Sequence, residues 1–187
     1  MTRRRKKKIV RVIHPSPGPL PARRSGEFPG RLLVFSDASL RKTGGLAAVL
    51  FPDPDGAAWV ATRSVALTGS NELELQAALF ALQQAGQAFP ERPLALFSDN
   101  QDSVLRLNRA LEHGLAEDAE LAAMLAERAI ALALTRLQVC WIKGHASCRG
   151  NLLADRYAAE AAESGFSRQL FQTAPALGEA GGGPTPY

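Results

Sequence analysis

The chain has 187 residues, 46% of them hydrophobic, and carries 22 basic against 18 acidic residues for a net charge of +4. That length suits one domain with a sizeable core and modest tails. No apolar run reaches the ~20 residues that span a bilayer, and the basic N-terminus leads into Pro and Gly rather than an apolar signal-type segment, so a soluble, cytoplasmic monomer is expected. Cys140 and Cys148 are too few for a disulfide framework and are not spaced as a zinc quartet, which fits a reducing compartment.

In chain order, the first feature is a basic arm. Arg3, Arg4, Arg5, Lys6, Lys7, Lys8, Arg11, Arg23 and Arg24 supply 9 of the 22 basic residues, and the chain after Arg24 holds 13 basic against 18 acidic residues, a balance of −5. Dense positive charge on an acidic body suits attraction to nucleic acid phosphates, the alternatives being a solvated tail or a targeting segment. Pro15, Pro17, Pro19 and Pro21 favour an extended tether, so residues 1–30 are expected as an unstructured arm, 31–165 as the folded domain and 166–187 as a flexible tail.

The domain reads as mixed α/β. Strands are expected at 31–38, 46–51 and 57–66, joined by turn-rich segments as an antiparallel meander. A helix is expected over 71–88, with Ser70 or Asn71 as N-cap and Pro90 just beyond its end. A fourth strand at 93–98, helices at 101–112 and 117–133, a fifth strand at 136–143 and a helix at 150–164 complete the pattern.

Two of these strands end alike, Phe35-Ser36-Asp37 and Phe97-Ser98-Asp99. Carboxylates at neighbouring strand ends repel unless a divalent cation lies between them. On the 71–88 helix, Glu72 shares a polar stripe with Gln76, Gln83 and Gln87, a solvated face. Glu74 instead lines up with Ala77, Ala78, Ala81 and Ala85, where an unpaired carboxylate costs several kcal/mol to bury. Asp155 is expected to repeat this in the last helix, in line with Ala158, Ala159 and Ala162 and away from the outward-facing Arg156, Glu160 and Glu163.

With four carboxylates so placed, the chain resembles the type 1 ribonuclease H family. The resemblance rests on Phe35-Ser36-Asp37-Ala38-Ser39, on Asn71-Glu72-Leu73-Glu74-Leu75-Gln76-Ala77-Ala78, on Phe97-Ser98-Asp99-Asn100-Gln101, and on Trp141-Ile142-Lys143-Gly144-His145-Ala146 with Asp155 ten residues after the histidine. It extends over about residues 31–163. It implies a five-stranded mixed sheet, three antiparallel strands followed by two parallel ones, flanked by helices. It further implies that Asp37, Glu74, Asp99 and Asp155 bind two Mg2+ or Mn2+ ions, with Asp37 bridging both, and that the RNA strand of an RNA/DNA hybrid is hydrolysed to 5′-phosphate products. Hard divalent cations prefer such oxygen ligands, and paired ions suit in-line phosphodiester hydrolysis. The matching histidine, His145, would assist by proton transfer or by helping product and metal leave. Asn71, Gln101 and Asn151 match positions that touch the RNA 2′-hydroxyls, and Ser39, beside the first carboxylate, is expected to contact the same strand.

The chain also departs from the family pattern. Ala38 stands where glycine is usual, and Leu40-Arg41-Lys42-Thr43-Gly44-Gly45 replaces the glycine-rich loop that follows. Asp102 lengthens the segment after Asp99. Glu112-His113-Gly114-Leu115-Ala116-Glu117-Asp118-Ala119-Glu120 takes the place of a tryptophan-rich basic protrusion, and its acids would repel a phosphate backbone. Residues 3–11 are therefore expected to act as the electrostatic anchor in its stead, or else as an address. Another metal nuclease on the same fold, or a non-catalytic nucleic-acid-binding module, remains the alternative to a hybrid-specific endoribonuclease.

Overall fold

The computed structural model describes residues 16–128, 130, 136–144 and 148–173. Strands β1 (Leu32–Leu40), β2 (Gly44–Phe51) and β3 (Trp59–Val65) precede helix α1 (Ser70–Ala88). Next come β4 (Leu94–Ser98), α2 (Gln101–His113), α3 (Ala119–Glu127), β5 (Leu137–Trp141), α4 (Arg149–Ser164) and β6 (Arg168–Gln172). The strands form one mixed sheet in the order β5-β4-β1-β2-β3-β6. β2 pairs antiparallel with β1 and with β3, while β4 pairs parallel with β1 and with β5.

Alternation along the strands separates two apolar layers, because successive side chains point to opposite faces. Leu32 and Val34 of β1 and Leu96 of β4 join α1, α2 and α3 on one face. Leu33, Phe35, Ala95 and Phe97 join Cys148 and Ala154 near and on α4 on the other. Phe35 anchors the second layer, stacked on Phe97 at 5.0 Å between ring centres and edge-on to Phe51 at 5.8 Å. The buried stripe of α4, with Ala154, Ala158, Ala161 and Ala162, is made of small residues, so the helix backbone lies close to β2. A Cβ on Gly45 would overlap the Ala158 carbonyl oxygen and the Ala162 nitrogen.

The α/β class and the five expected strands are present. A sixth strand, β6, pairs with β3 from within the segment expected as a tail, where Trp59 opposes Gln172 and Val60 opposes Phe171. Tyr157 of α4 meets Phe171 edge-on at 5.9 Å, so this strand has an aromatic contact with the domain that composition alone does not display. At the other end, the stretch expected as tether is held on the domain from residue 16 onward, with Leu20 buried in the α4-side layer. The N-cap of α1 is Gly69, without a side-chain cap, rather than Ser70 or Asn71. Helix α3 is shorter than the expected 117–133, and residues 129 and 131–133 of that range lie outside the described residues. So do the arm residues 3–11 and the stretch 174–187.

Substituting Gly45→Ala should force α4 away from β2, an overpacking that costs about 1–3 kcal/mol. Thermal unfolding should then shift down by about 2–4 °C per kcal/mol in a chain of this size. An unchanged Tm would contradict the close approach.

Candidate active site

Register is what brings the first two carboxylates together. Leu32 of β1 pairs with Leu94 of β4 and Phe35 pairs with Phe97, so continuing that parallel register sets Asp37 beside Asp99. Helix α1 crosses β1 and β2 and contributes Glu74. One carboxylate oxygen each from Asp37, Glu74 and Asp99 lies within 4.8 Å of the others. Asp37 is 6% exposed, and Glu74 and Asp99 are half-buried.

Such crowding is electrostatically adverse. Burial foremost, and then the negative charges of Glu74, Asp99 and Asp155, push the Asp37 carboxyl from 3.8 up to about 9. Burial and Asp99, with a smaller push from Asp155, raise Glu74 from 4.5 to about 8. The Ala38 backbone N–H pulls both the other way. Glu74 Oε2 is buried and has no hydrogen-bond partner among the described residues, an orphaned acceptor where polar groups are normally satisfied. Clustered oxygens, raised acidities and an orphaned carboxylate oxygen together fit a hard divalent cation, so Asp37, Glu74 and Asp99 are suited to hold one.

Asp155 corrects one expectation. It is exposed, because the close seating of α4 on Gly45 turns Ala154, Ala158, Ala161 and Ala162 to the sheet and leaves Asp155 at the edge of that stripe. It lies outside the three-carboxylate group but still contributes to the raised acidity of Asp37 and Glu74.

The residues expected to touch substrate divide. Asn71 and Gln101 are exposed, and Ser39 is half-buried near the end of β1. Asn151 is 2% exposed in the first turn of α4, beneath the surface rather than on a rim. His145 lies outside the described residues, as do 146 and 147.

Other residues of the quoted motifs, and Asp102, take parts that the sequence did not assign them. Asn100 caps α2, its side chain accepting from the Ser103 amide at 2.8 Å. Asn100 Nδ2 donates to Asn71 Oδ1 at 3.2 Å, and Asn71 Nδ2 donates to Asp102 Oδ2 at 2.9 Å. The added Asp102 therefore sits in the first turn of α2, where a negative charge is favoured, and holds Asn71. Gly144 lies against Asp99, and a Cβ there would overlap the Asp99 carboxylate. Trp141 Nε1 donates to the Asp99 carbonyl oxygen at 2.9 Å. The acidic stretch after α2 is partly neutralised: Arg106 binds Asp118 through two hydrogen bonds of 2.6 and 2.7 Å and Glu120 at 2.7 Å. The Arg106 hydrogen bond holds the Asp118 carboxyl down to about 2.

A mixed α/β sheet flanked by helices thus gathers acids where two parallel strands end their pairing. Residues 29–163 match the RNase H family, and the chain belongs to it. Two solved structures share the fold. LC9-RNase H1, described as a type 1 RNase H with the type 2 active-site motif, is 18% identical with a TM-score of 0.62 over 78% of this chain and 79% of its own. LC11-RNase H1, solved in complex with RNA/DNA hybrid, is 17% identical with a TM-score of 0.51 over 72% of this chain and 99% of its own. No curated protein matches the sequence. Among the described residues, no helix is long and apolar enough to cross a membrane.

The raised acidities carry a stability consequence. Asp37 titrates near 3.8 unfolded and at about 9 folded. Its folded-state preference for the proton thus contributes fully below the unfolded value and is lost as pH rises through the folded one. Without metal, Tm should fall between pH 5 and pH 9. Asp37→Asn should flatten that slope and raise Tm at pH 8 by at least about 2–4 °C, the equivalent of 1 kcal/mol. A wild-type profile as flat as that of the variant would contradict the buried, mutually repelling carboxylates.

Proposed function

We propose that this protein is a divalent-metal-dependent endoribonuclease that hydrolyses the RNA strand of RNA/DNA hybrids. The observation that carries the reading is the buried cluster of Asp37, Glu74 and Asp99 with its orphaned Glu74 oxygen, within a chain of the RNase H family. The hybrid bound by LC11-RNase H1 supports the substrate class.

In this reading Asp37, Glu74, Asp99 and Asp155 would hold the cations, Mg2+ or Mn2+. Bound there, a divalent cation would supply activation of water and charge stabilisation for the leaving 3′ oxygen. Water adds to phosphorus as the phosphorus–O3′ bond breaks, so its oxygen ends in the 5′-phosphate and a proton goes to the leaving oxygen, giving a 3′-hydroxyl. Asn71, oriented by Asn100 and Asp102, and Gln101 stand exposed beside the cluster and are suited to hydrogen-bond the 2′-hydroxyls that distinguish RNA. His145 moves a proton or eases product departure, a supporting rather than a ligating part. The basic arm, residues 3–11, draws the phosphate backbone toward a body that is otherwise acidic.

The deciding assay is cleavage of an RNA-labelled hybrid with Mg2+ or Mn2+, beside single-stranded RNA, duplex RNA and duplex DNA. Hybrid-only cleavage is expected, abolished by Asp37→Asn and slowed less by His145→Ala. Cleavage of another substrate would indicate a neighbouring nuclease class, and no cleavage by a folded protein would indicate a binding module.

Removal of residues 1–15 should weaken hybrid binding and flatten its dependence on salt. Each lost phosphate contact lowers the slope of log affinity against log salt by about 0.7–0.9. An unchanged slope would remove the arm from substrate binding.

A further inference from the structure

Residues 16–28 do more than connect the arm to the sheet. They run as a strap along the α4 side of the β4–β5 end. Ser16 bridges to Cys148, the Gly18 carbonyl accepts from the Arg149 amide and the Pro19 carbonyl from the Gly150 amide, both at 3.1 Å. These contacts satisfy two of the first amides of α4, which a helix leaves without internal partners. Leu20 is 3% exposed in the same layer as Phe35, Phe97 and Ile142. Phe28 meets Phe97 edge-on at 5.1 Å.

Arg24 is the hinge of this arrangement. Its guanidinium lies 5.1 Å from the Phe28 ring centre and 5.5 Å from that of Phe97, and pairs with Glu27 at 2.8 Å. Arg24 Nη1 also donates to the Trp141 carbonyl oxygen at 3.4 Å. The Trp141 indole in turn donates to the carbonyl oxygen of Asp99. A continuous run of contacts therefore leads from the strap, through the end of β5, to the backbone of a carboxylate in the acidic cluster.

We propose that the strap positions Asp99 in the metal-binding cluster, with Arg24 and Trp141 as positioning residues acting in series. Outer partners that orient a ligand typically affect metal affinity by about 10–100-fold. The effect here passes through backbone carbonyls, which sets the expectation at the lower end. The proposal rests on the reading of Asp37, Glu74 and Asp99 as a metal site, and its test does not require nucleic acid.

The full-length protein is titrated with Mn2+ by calorimetry as wild type, Arg24→Ala, Trp141→Phe and the double variant, with Tm recorded for each. Trp141→Phe keeps an aromatic ring at the end of β5 while removing the indole donor to the Asp99 carbonyl, so it reports on positioning even if Arg24→Ala loosens the strap. Each single variant should lower Mn2+ affinity about tenfold. The double variant should be no weaker than the weaker single one, because residues in one contact run are not additive. On a labelled hybrid, kcat should fall by a similar factor while KM stays within about twofold, the pattern expected when the change acts on the metal cluster rather than on hybrid binding. Unchanged Mn2+ affinity in both single variants, or strictly additive losses in the double, would overturn the proposal. A wild-type protein that binds no Mn2+ would overturn the metal-site reading and the strap's role together, whereas Mn2+ binding without hybrid cleavage would overturn only the substrate reading.

Discussion

The parallel pairing of β1 with β4 is the constraint on which the site depends. It aligns Phe35 with Phe97 and thereby carries Asp37 and Asp99 side by side at the end of the paired strands. Nothing in the carboxylates themselves favours that arrangement, as their raised acidities attest. The force holding them together is the apolar layer beneath, where Phe35, Phe51 and Phe97 pack against one another and β2 is buried along its whole length. Burial of this kind is collective, whereas repulsion acts among only a few charges. A stable core can therefore hold an adverse cluster ready for a cation.

The helices act on that frame in different ways. α1 has a wide buried face of Leu, Ala and Phe residues that presses Glu74 toward the strand ends. α4 approaches so closely at Gly45 that its rotation is decided by backbone contact, and this leaves Asp155 exposed at the margin. One acidic site thus contains a nearly dry carboxylate, two half-buried ones and a solvated neighbour. In the hybrid-nuclease reading, that gradient would leave the solvated side open to substrate.

The strap adds a second layer of support around the Asp99 side. Gly144 makes room for the Asp99 carboxylate, Trp141 holds its backbone, and Arg24 holds Trp141. At the start of α2, Asn100, Asn71 and Asp102 form a hydrogen-bonded row. The added Asp102 is therefore accommodated by partners rather than left as a stray charge near the site. Arg106 does the same for Asp118 and Glu120, which tempers the repulsion that the acidic stretch would otherwise exert on a phosphate backbone.

Much of the fold and the core of the site could be read from the chain itself. The placing of Asp37 and Asp99 just past the paired Phe35 and Phe97, and of Glu74 in line with small apolar residues, follows from local periodicity, because side-chain direction along a strand or helix is fixed by backbone geometry, although β1 runs on to Leu40 rather than ending near Asp37. The same reasoning missed the exposure of Asp155 and the burial of Asn151, since helix rotation depends on how closely two backbones pack. It also missed β6, the strap at residues 16–28 and the parts played by Trp141 and Asp102. Those features join residues far apart in sequence, and short polar or proline-rich segments gain their structure from a surface that exists only once the sheet has formed. The amino-acid sequence by itself determined the order of elements from β1 to α4 and the residues that bring three carboxylates together. Only the tertiary structure decided which partners hold them, because that depends on contacts between chain segments with no local pattern in common.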